Sequence, residues 1–219
     1  MAPKITLYID IVSPFAYLAY YTLRHHALFK SVQITYVPIF LGGLMKACNN
    51  RPPLEIRNKD KWIERERLRW ADQFDVPMTK TVPEGFPVLT LTIMRALCYV
   101  QIKYPDELVR CVDVLYQSFW VEANSKVGKP EGFGLILEKV LGKEKAEDVL
   151  KGLASPEAKK RLNENTDEAL NKTAFGLPWF QCENERGDTE GFWGFDHLGQ
   201  VTKFLGLDKD KDQGLRAML

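Results

Sequence analysis

Paired thiols are missing from this chain. Its 219 residues hold four cysteines, Cys48, Cys98, Cys111 and Cys182, and no two of them stand as C-x-x-C. Dithiol–disulfide exchange and thiolate zinc sites therefore have no motif to work from, and the three histidines give no zinc spacing either. Free thiols in a reducing compartment are the simplest reading, with most of the cysteines acting as small core residues. Net charge is missing too. The 30 lysines and arginines against 29 aspartates and glutamates leave +1, so no global field marks a nucleic-acid binder. No apolar run approaches the roughly 20 residues of a membrane-crossing helix, and neither a P-loop nor G-x-G-x-x-G is present. The opening "MAPKITLYID" enters a strand pattern at once, so neither a signal peptide nor a transit segment is expected.

What is present reads as an ordinary globular domain, 45% hydrophobic and 27% charged, long enough to bury a sizeable core. Lys4 to Val12 is apolar and β-branched and predicts a buried strand. Pro14 to Phe29 predicts a helix with Phe15, Leu18, Ala19, Thr22 and Leu23 on one face, and Ser31 to Phe40 a second strand. That order suggests a βαβ unit. His25 and His26, near the helix end, read as surface residues. Between Asp60 and Lys172 the periodicity is helical almost throughout: Asp60–Phe74, Leu89–Tyr104, Pro105–Glu122, Glu131–Leu141, Glu144–Leu153 and Pro156–Lys172. "AFGLPWFQCE" and "TEGFWGF" then read as strands around the turn "NERGD". "DHLGQVTKFLG" reads as a last helix with Asp196 as its cap and Gly206 as its stop. The order βαβ, helical block, ββα fits an α/β fold: a thioredoxin-like domain interrupted by an inserted all-helical domain. The expected parts are residues 1–50, 51–172 and 173–219.

The junction "DIVSPFAYLAY", Asp10 to Tyr20, carries the chemistry. Ser13 followed by Pro14 is a good helix start in its own right, since serine caps N–H groups and proline has no N–H to leave unpaired. Such a start also favours an anion. In thiol oxidoreductases of this fold the anion is a cysteine thiolate of C-x-x-C; here the four positions read Ser13-Pro14-Phe15-Ala16. A hydroxyl can still donate a hydrogen bond to a thiolate brought by another molecule. A thiol with a pKa of about 8.5 is about three per cent ionised at neutrality, and a shift of about two units needs about 2.7 kcal/mol. One charge-assisted hydrogen bond and a helix N-terminus together supply energy of that order.

"SPFAYLAYYTL", "PIFLGGLMKACNNRPP", "AFGLPWF" and "WGFDHL" resemble the kappa class of glutathione transferases and the related bacterial 2-hydroxychromene-2-carboxylate isomerases, from the first strand to the last helix. The resemblance implies a DsbA-like thioredoxin fold and glutathione as co-substrate, with no metal. It implies that Ser13 hydrogen-bonds the glutathione sulfur. It implies that Asn50 and Lys59 reach the glycyl carboxylate and backbone, that Pro178 is a cis-proline turning the Leu177 N–H and C=O toward the cysteinyl peptide, and that Asp196 pairs with the γ-glutamyl ammonium. Phe195 departs from the family's serine before that aspartate, and Phe15-Ala16-Tyr17 from its more usual Tyr-Ser-Trp. Arg51 replaces a common lysine and keeps the charge.

The expected activity is conjugation of glutathione to a small electrophile, or peroxide reduction with it. The alternatives are a glutathione-dependent isomerase, in which the peptide adds and leaves again, and a non-catalytic glutathione- or protein-binding module. A homodimer is expected by resemblance. For location the expectations are cytoplasm, or peroxisome or mitochondrion by resemblance; the terminal "AML" distantly resembles the peroxisomal S-K-L signal.

Overall fold

Both ends of the chain contribute to a single mixed sheet. In the computed structural model, which describes residues 1–218, β1 (Lys4–Ile9) and β2 (Gln33–Pro38) come from the start, β3 (Trp179–Glu183) and β4 (Thr189–Trp193) from the end. Leu219, and so the last residue of the "AML" segment, lies outside the described residues. The strand order is β2-β1-β3-β4, with β2 parallel to β1 and both later pairings antiparallel. Helix α1 (Pro14–His25) links β1 to β2. Seven helices separate β2 from β3: α2 (Leu41–Ala47), α3 (Lys59–Gln73), α4 (Leu91–Lys103), α5 (Leu108–Tyr116), α6 (Pro130–Leu141), α7 (Lys143–Gly152) and α8 (Pro156–Asn171). After β4 come a 3-10 turn (Phe195–His197), α9 (Leu198–Phe204) and α10 (Gln213–Arg216). This is the thioredoxin-like fold with helices inserted into it.

Strand alternation sorts the side chains onto two faces. Leu7, Ile9, Phe180 and Phe192 point into a core shared with α1 and with insertion residues such as Ile93, Leu97 and Trp120. Tyr8 and Trp179 point the other way, onto Leu44 of α2 and Ala169 of α8. The Tyr8 hydroxyl donates to the Glu168 carboxylate (2.8 Å) across that layer. On the far side of α1, Tyr20 and Arg24 both bond Asp113 of α5, at 2.7 and 3.0 Å. The helical block is thus fastened to the sheet through both faces.

Of the boundaries that differ from the sequence expectation, three bear on the site. The first strand stops at Ile9 rather than Val12, because Val12 N–H donates to the Asp10 carboxylate (3.2 Å) and Ser13 N–H to the Asp10 carbonyl (3.1 Å); these bonds close a turn. Pro105–Glu122 is a 3-10 turn, α5 and then a π-helical turn, Gln117–Val121. Such turns widen the helix locally and re-aim side chains. Asp196 does not cap the last helix. It lies inside the 3-10 turn wound from Gly194, whose carbonyl accepts from His197 N–H (3.2 Å).

Candidate active site around Ser13

Ser13 has extended backbone angles, and its Oγ accepts the N–H of Ala16 (3.2 Å). Its side chain is nearly enclosed, 5% exposed. As an acceptor in the cap it keeps its own proton free to donate outward. The first N–H groups of α1 add a positive end to the same spot.

The turn before Ser13 is held from the helical insertion. Tyr116 donates its hydroxyl to the Asp10 carbonyl (3.3 Å), and Trp120 its indole N–H to the Ile11 carbonyl (2.9 Å). Tyr116 packs between Tyr17 and Tyr20 of α1, 5.2 Å from each ring centroid. Beneath the turn the Asp10 carboxylate is wholly buried. Besides Val12 N–H it accepts from Leu41 N–H (2.9 Å) and the Thr90 hydroxyl (3.0 Å). Burial pushes its pKa up from 3.8 to about 6, against the opposing pull of those hydrogen bonds. Of the three residues after Pro14, Ala16 and Tyr17 face inward, and the Tyr17 hydroxyl donates to the Pro77 carbonyl (2.7 Å). Phe15 alone is partly exposed.

Leu177 and Pro178 reach the same place through the sheet. Tyr8 pairs with Trp179 in the β1–β3 register, so Pro178 lies beside the end of β1. The Leu177–Pro178 peptide is cis, as is Phe86–Pro87, which sequence reading did not anticipate. Leu177 packs in one cluster with Ala16, and its backbone N–H and C=O make no hydrogen bond among the described residues. The Pro178 carbonyl accepts from Gly194 N–H (3.0 Å), which brings in the Asp196 turn. Gly194 sits at φ 93, and any side chain there would collide with the Asp196 carboxylate. Asp196 is 61% exposed at its side chain, with His197 Nδ1 3.4 Å away. Phe195 points inward and stacks edge-on against Trp70 (5.5 Å) of α3 and Phe74 (4.9 Å) just after it.

Asn50 lies on the opposite rim. Its Nδ2 donates to the Phe175 carbonyl (2.7 Å) and its Oδ1 accepts from Arg51 N–H (2.8 Å), which fastens the loop after α2 to the segment leading into Leu177. Gly42, Met45, Lys46, Asn50 and Arg51 line an open basin of about 500 Å³. Ser13, Leu177 and Asp196 lie outside its lining, so the basin covers one end of the region only. Lys59 opens α3 and is exposed; its ammonium has no hydrogen bond or ion pair among the described residues. The structure therefore gathers Ser13, Leu177, Pro178 and Asp196 at one end of the sheet and ties Asn50 to them. Lys59 joins them only through its helix, which packs on α1.

Sequence reading missed Asp10, Thr90, Tyr116 and Trp120. The Asp at the head of "DIVSP" was the one local signal. No group of three or more His, Cys, Asp or Glu able to hold a metal occurs among the described residues. Burial pushes the Cys98, Cys111 and Cys182 thiols up to about 12, which makes them inert packing groups.

Comparison with known proteins agrees with this fold. A family described as DSBA-like thioredoxin domain matches residues 4–206. Glutathione S-transferase kappa 1 of Caenorhabditis elegans is 27% identical over 93% of this chain and 91% of its own length. The 2-hydroxychromene-2-carboxylate isomerase of Sphingobium xenophagum is 25% identical over 94% and 99%. A solved 2-hydroxychromene-2-carboxylate isomerase superposes with a TM-score of 0.75 at 24% identity, covering 93% of this chain and 94% of that one.

Proposed function

Because the chain belongs to the DSBA-like thioredoxin domain family and offers Ser13 where such folds place a nucleophilic cysteine, we propose that it is a glutathione transferase of kappa type. The single observation that carries the reading is the Ser13 hydroxyl, enclosed, capping α1 and free to donate its proton. A thiolate held there is stabilised by that donation and by the helix N-terminus. The unpaired N–H and C=O of Leu177 suit the main chain of a peptide thiol. The exposed Asp196 carboxylate suits its ammonium group. Asn50 and the basic groups Lys46, Arg51 and Lys59 suit its glycyl carboxylate. The buried Phe195 side chain is turned away from the ligand, so the hydroxyl that serine would supply is absent without a clash in its place. The protein's part in the reaction is to hold the sulfur ionised and oriented while an electrophile enters beside Phe15.

Calorimetric titration with glutathione, followed by turnover of a reactive chloro-aromatic acceptor, tests the reading. Binding with a stable conjugate as product is expected. Absence of binding overturns it, and binding without turnover leaves a glutathione-binding module. The isomerase reading has its own support in the fold match and in the relative matched over 99% of its length. It predicts that glutathione is regenerated rather than consumed, which product analysis separates from transfer. Sedimentation analysis tests the homodimer that accompanies both readings.

A further inference from the structure

Asp10 is the acidic side chain buried deepest beneath the site, 0% exposed, and the transfer chemistry does not use it. No cation pairs with it among the described residues; its partners are all neutral donors. Val12 N–H comes from its own turn, Leu41 N–H from the start of α2, and the Thr90 hydroxyl from the start of α4. The titratable group that faces this turn from α5 is the Tyr116 phenol, bonded to the Asp10 carbonyl. One carboxylate therefore fastens together three things: the turn that presents Ser13, the helix that leads to Asn50, and the insertion on the far side.

The anchor lowers stability at neutral pH. A folded-state pKa of about 6 against an ordinary 3.8 means that the native protein holds this proton more tightly than the unfolded chain. The favourable contribution is complete below the ordinary value and is lost as pH rises through about 6.

We propose that Asp10 is a positioning residue for the thiol-binding turn, its carboxylate tying the starts of α2 and α4 to Ser13 so that ligand affinity depends on the Thr90 hydroxyl and falls when the carboxylate gains a proton. This rests on the glutathione reading. A neutral acid accepts more weakly from Leu41 N–H. An asparagine at the same place turns an N–H₂ toward one of the fixed donors.

The test uses S-methylglutathione, whose thioether cannot ionise, so that thiol titration does not enter. Its affinity for the wild-type protein is expected to weaken between about pH 7.5 and about pH 5. T90V keeps the side-chain shape and removes the hydroxyl. It is expected to weaken binding about tenfold and to move the midpoint upward, because the carboxylate has lost a donor. T90S, which keeps the hydroxyl, is expected to behave as wild type, and D10N to bind weakly without the pH dependence. Should D10N fail to fold, the T90V and T90S pair decides alone. The amide resonances of Val12, Ser13 and Leu41, followed across the same pH range without ligand, give the second readout. If T90V binds as wild type does and those resonances do not respond to it, the proposal is overturned while the glutathione reading stands. If the wild-type protein binds neither S-methylglutathione nor glutathione itself but the three amides titrate together and shift in T90V, the glutathione reading falls and the coupling of Asp10 to the turn stands. If it binds neither and the amides are flat, both fall.

Discussion

The two rims of the candidate site are built in opposite ways. Around Ser13 the backbone carbonyls, the turn N–H groups and the carboxylate beneath them have partners, and the donors Thr90, Tyr116 and Trp120 are buried. Along the segment from Asn50 to Lys59 the polar groups face solvent, and one side-chain bond to Phe175 fastens the loop. For the proposed transfer the first rim has to hold a hydroxyl in a fixed direction, because stabilising a thiolate depends on donor geometry. The second has only to offer positive charge to a carboxylate, for which direction matters less and screening by salt matters more. Substitutions on the two rims should therefore fail in different currencies: stability and turnover on one, affinity on the other.

The harshest challenge to the buried rim is F195S, which replaces the buried ring with a hydroxymethyl group. The ring fills space between Trp70 and Phe74, so its removal should cost about 3–5 kcal/mol of stability by the cavity it leaves. Denaturant unfolding measures this; a loss below about 1 kcal/mol would mean that the Asp196 turn is not anchored through that ring. Next is S13A, which removes the thiolate donor and leaves the fold. Loss of the charge-assisted hydrogen bond, with the helix N-terminus left in place, is about 1.5–2.7 kcal/mol of thiolate stabilisation, or about ten- to a hundredfold in kcat/KM. The pKa of the bound thiol, read by ultraviolet thiolate absorbance, should return toward about 8.5. An unchanged thiol pKa would leave the sulfur without its assigned partner.

The same contrast explains what could be read from the sequence. Ser13-Pro14, the helix periodicities and the strand pairs at the two ends depend on neighbours in the chain, so the fold class and the strand-to-helix junction capped by Ser13 were legible. The ties to Thr90, Tyr116 and Trp120 span 80, 106 and 109 residues. A threonine before a helix, or an aromatic in an apolar stretch, looks the same whether it serves a site or a core. Asp196 reads as a cap because it stands just before the helical face formed by Leu198, Val201 and Leu205. The deciding facts are the positive φ of Gly194 and the packing of Phe195 against Trp70 of α3 and Phe74 after it.

W120F sharpens the contrast further, since it keeps most of the aromatic surface and removes the indole N–H. The Ile11 carbonyl would be left buried without that donor, at about 1–3 kcal/mol. If the rim works as a unit, kcat should fall along with stability while the KM for glutathione stays within about twofold. A fall in stability alone would show the bond to be packing support and nothing more.

The smallest effects belong to the exposed rim. N50A removes the amide that fastens the loop to Phe175, and K59A removes a solvated charge. Neither leaves a buried group unpaired, so the melting temperature should stay within about 2 °C of wild type. Each should raise the KM for glutathione about three- to tenfold, about 1 kcal/mol of uniform binding, with kcat retained. The two should separate on added salt. The K59A defect should shrink as the Debye length falls from about 10 Å at 0.1 M toward about 3 Å at 1 M, because the wild-type advantage is a screened charge, whereas the N50A defect should persist, because a hydrogen bond between neutral groups is not screened. A K59A defect that survives high salt would place the Lys59 ammonium in direct, desolvated contact with the ligand and would make the two rims alike.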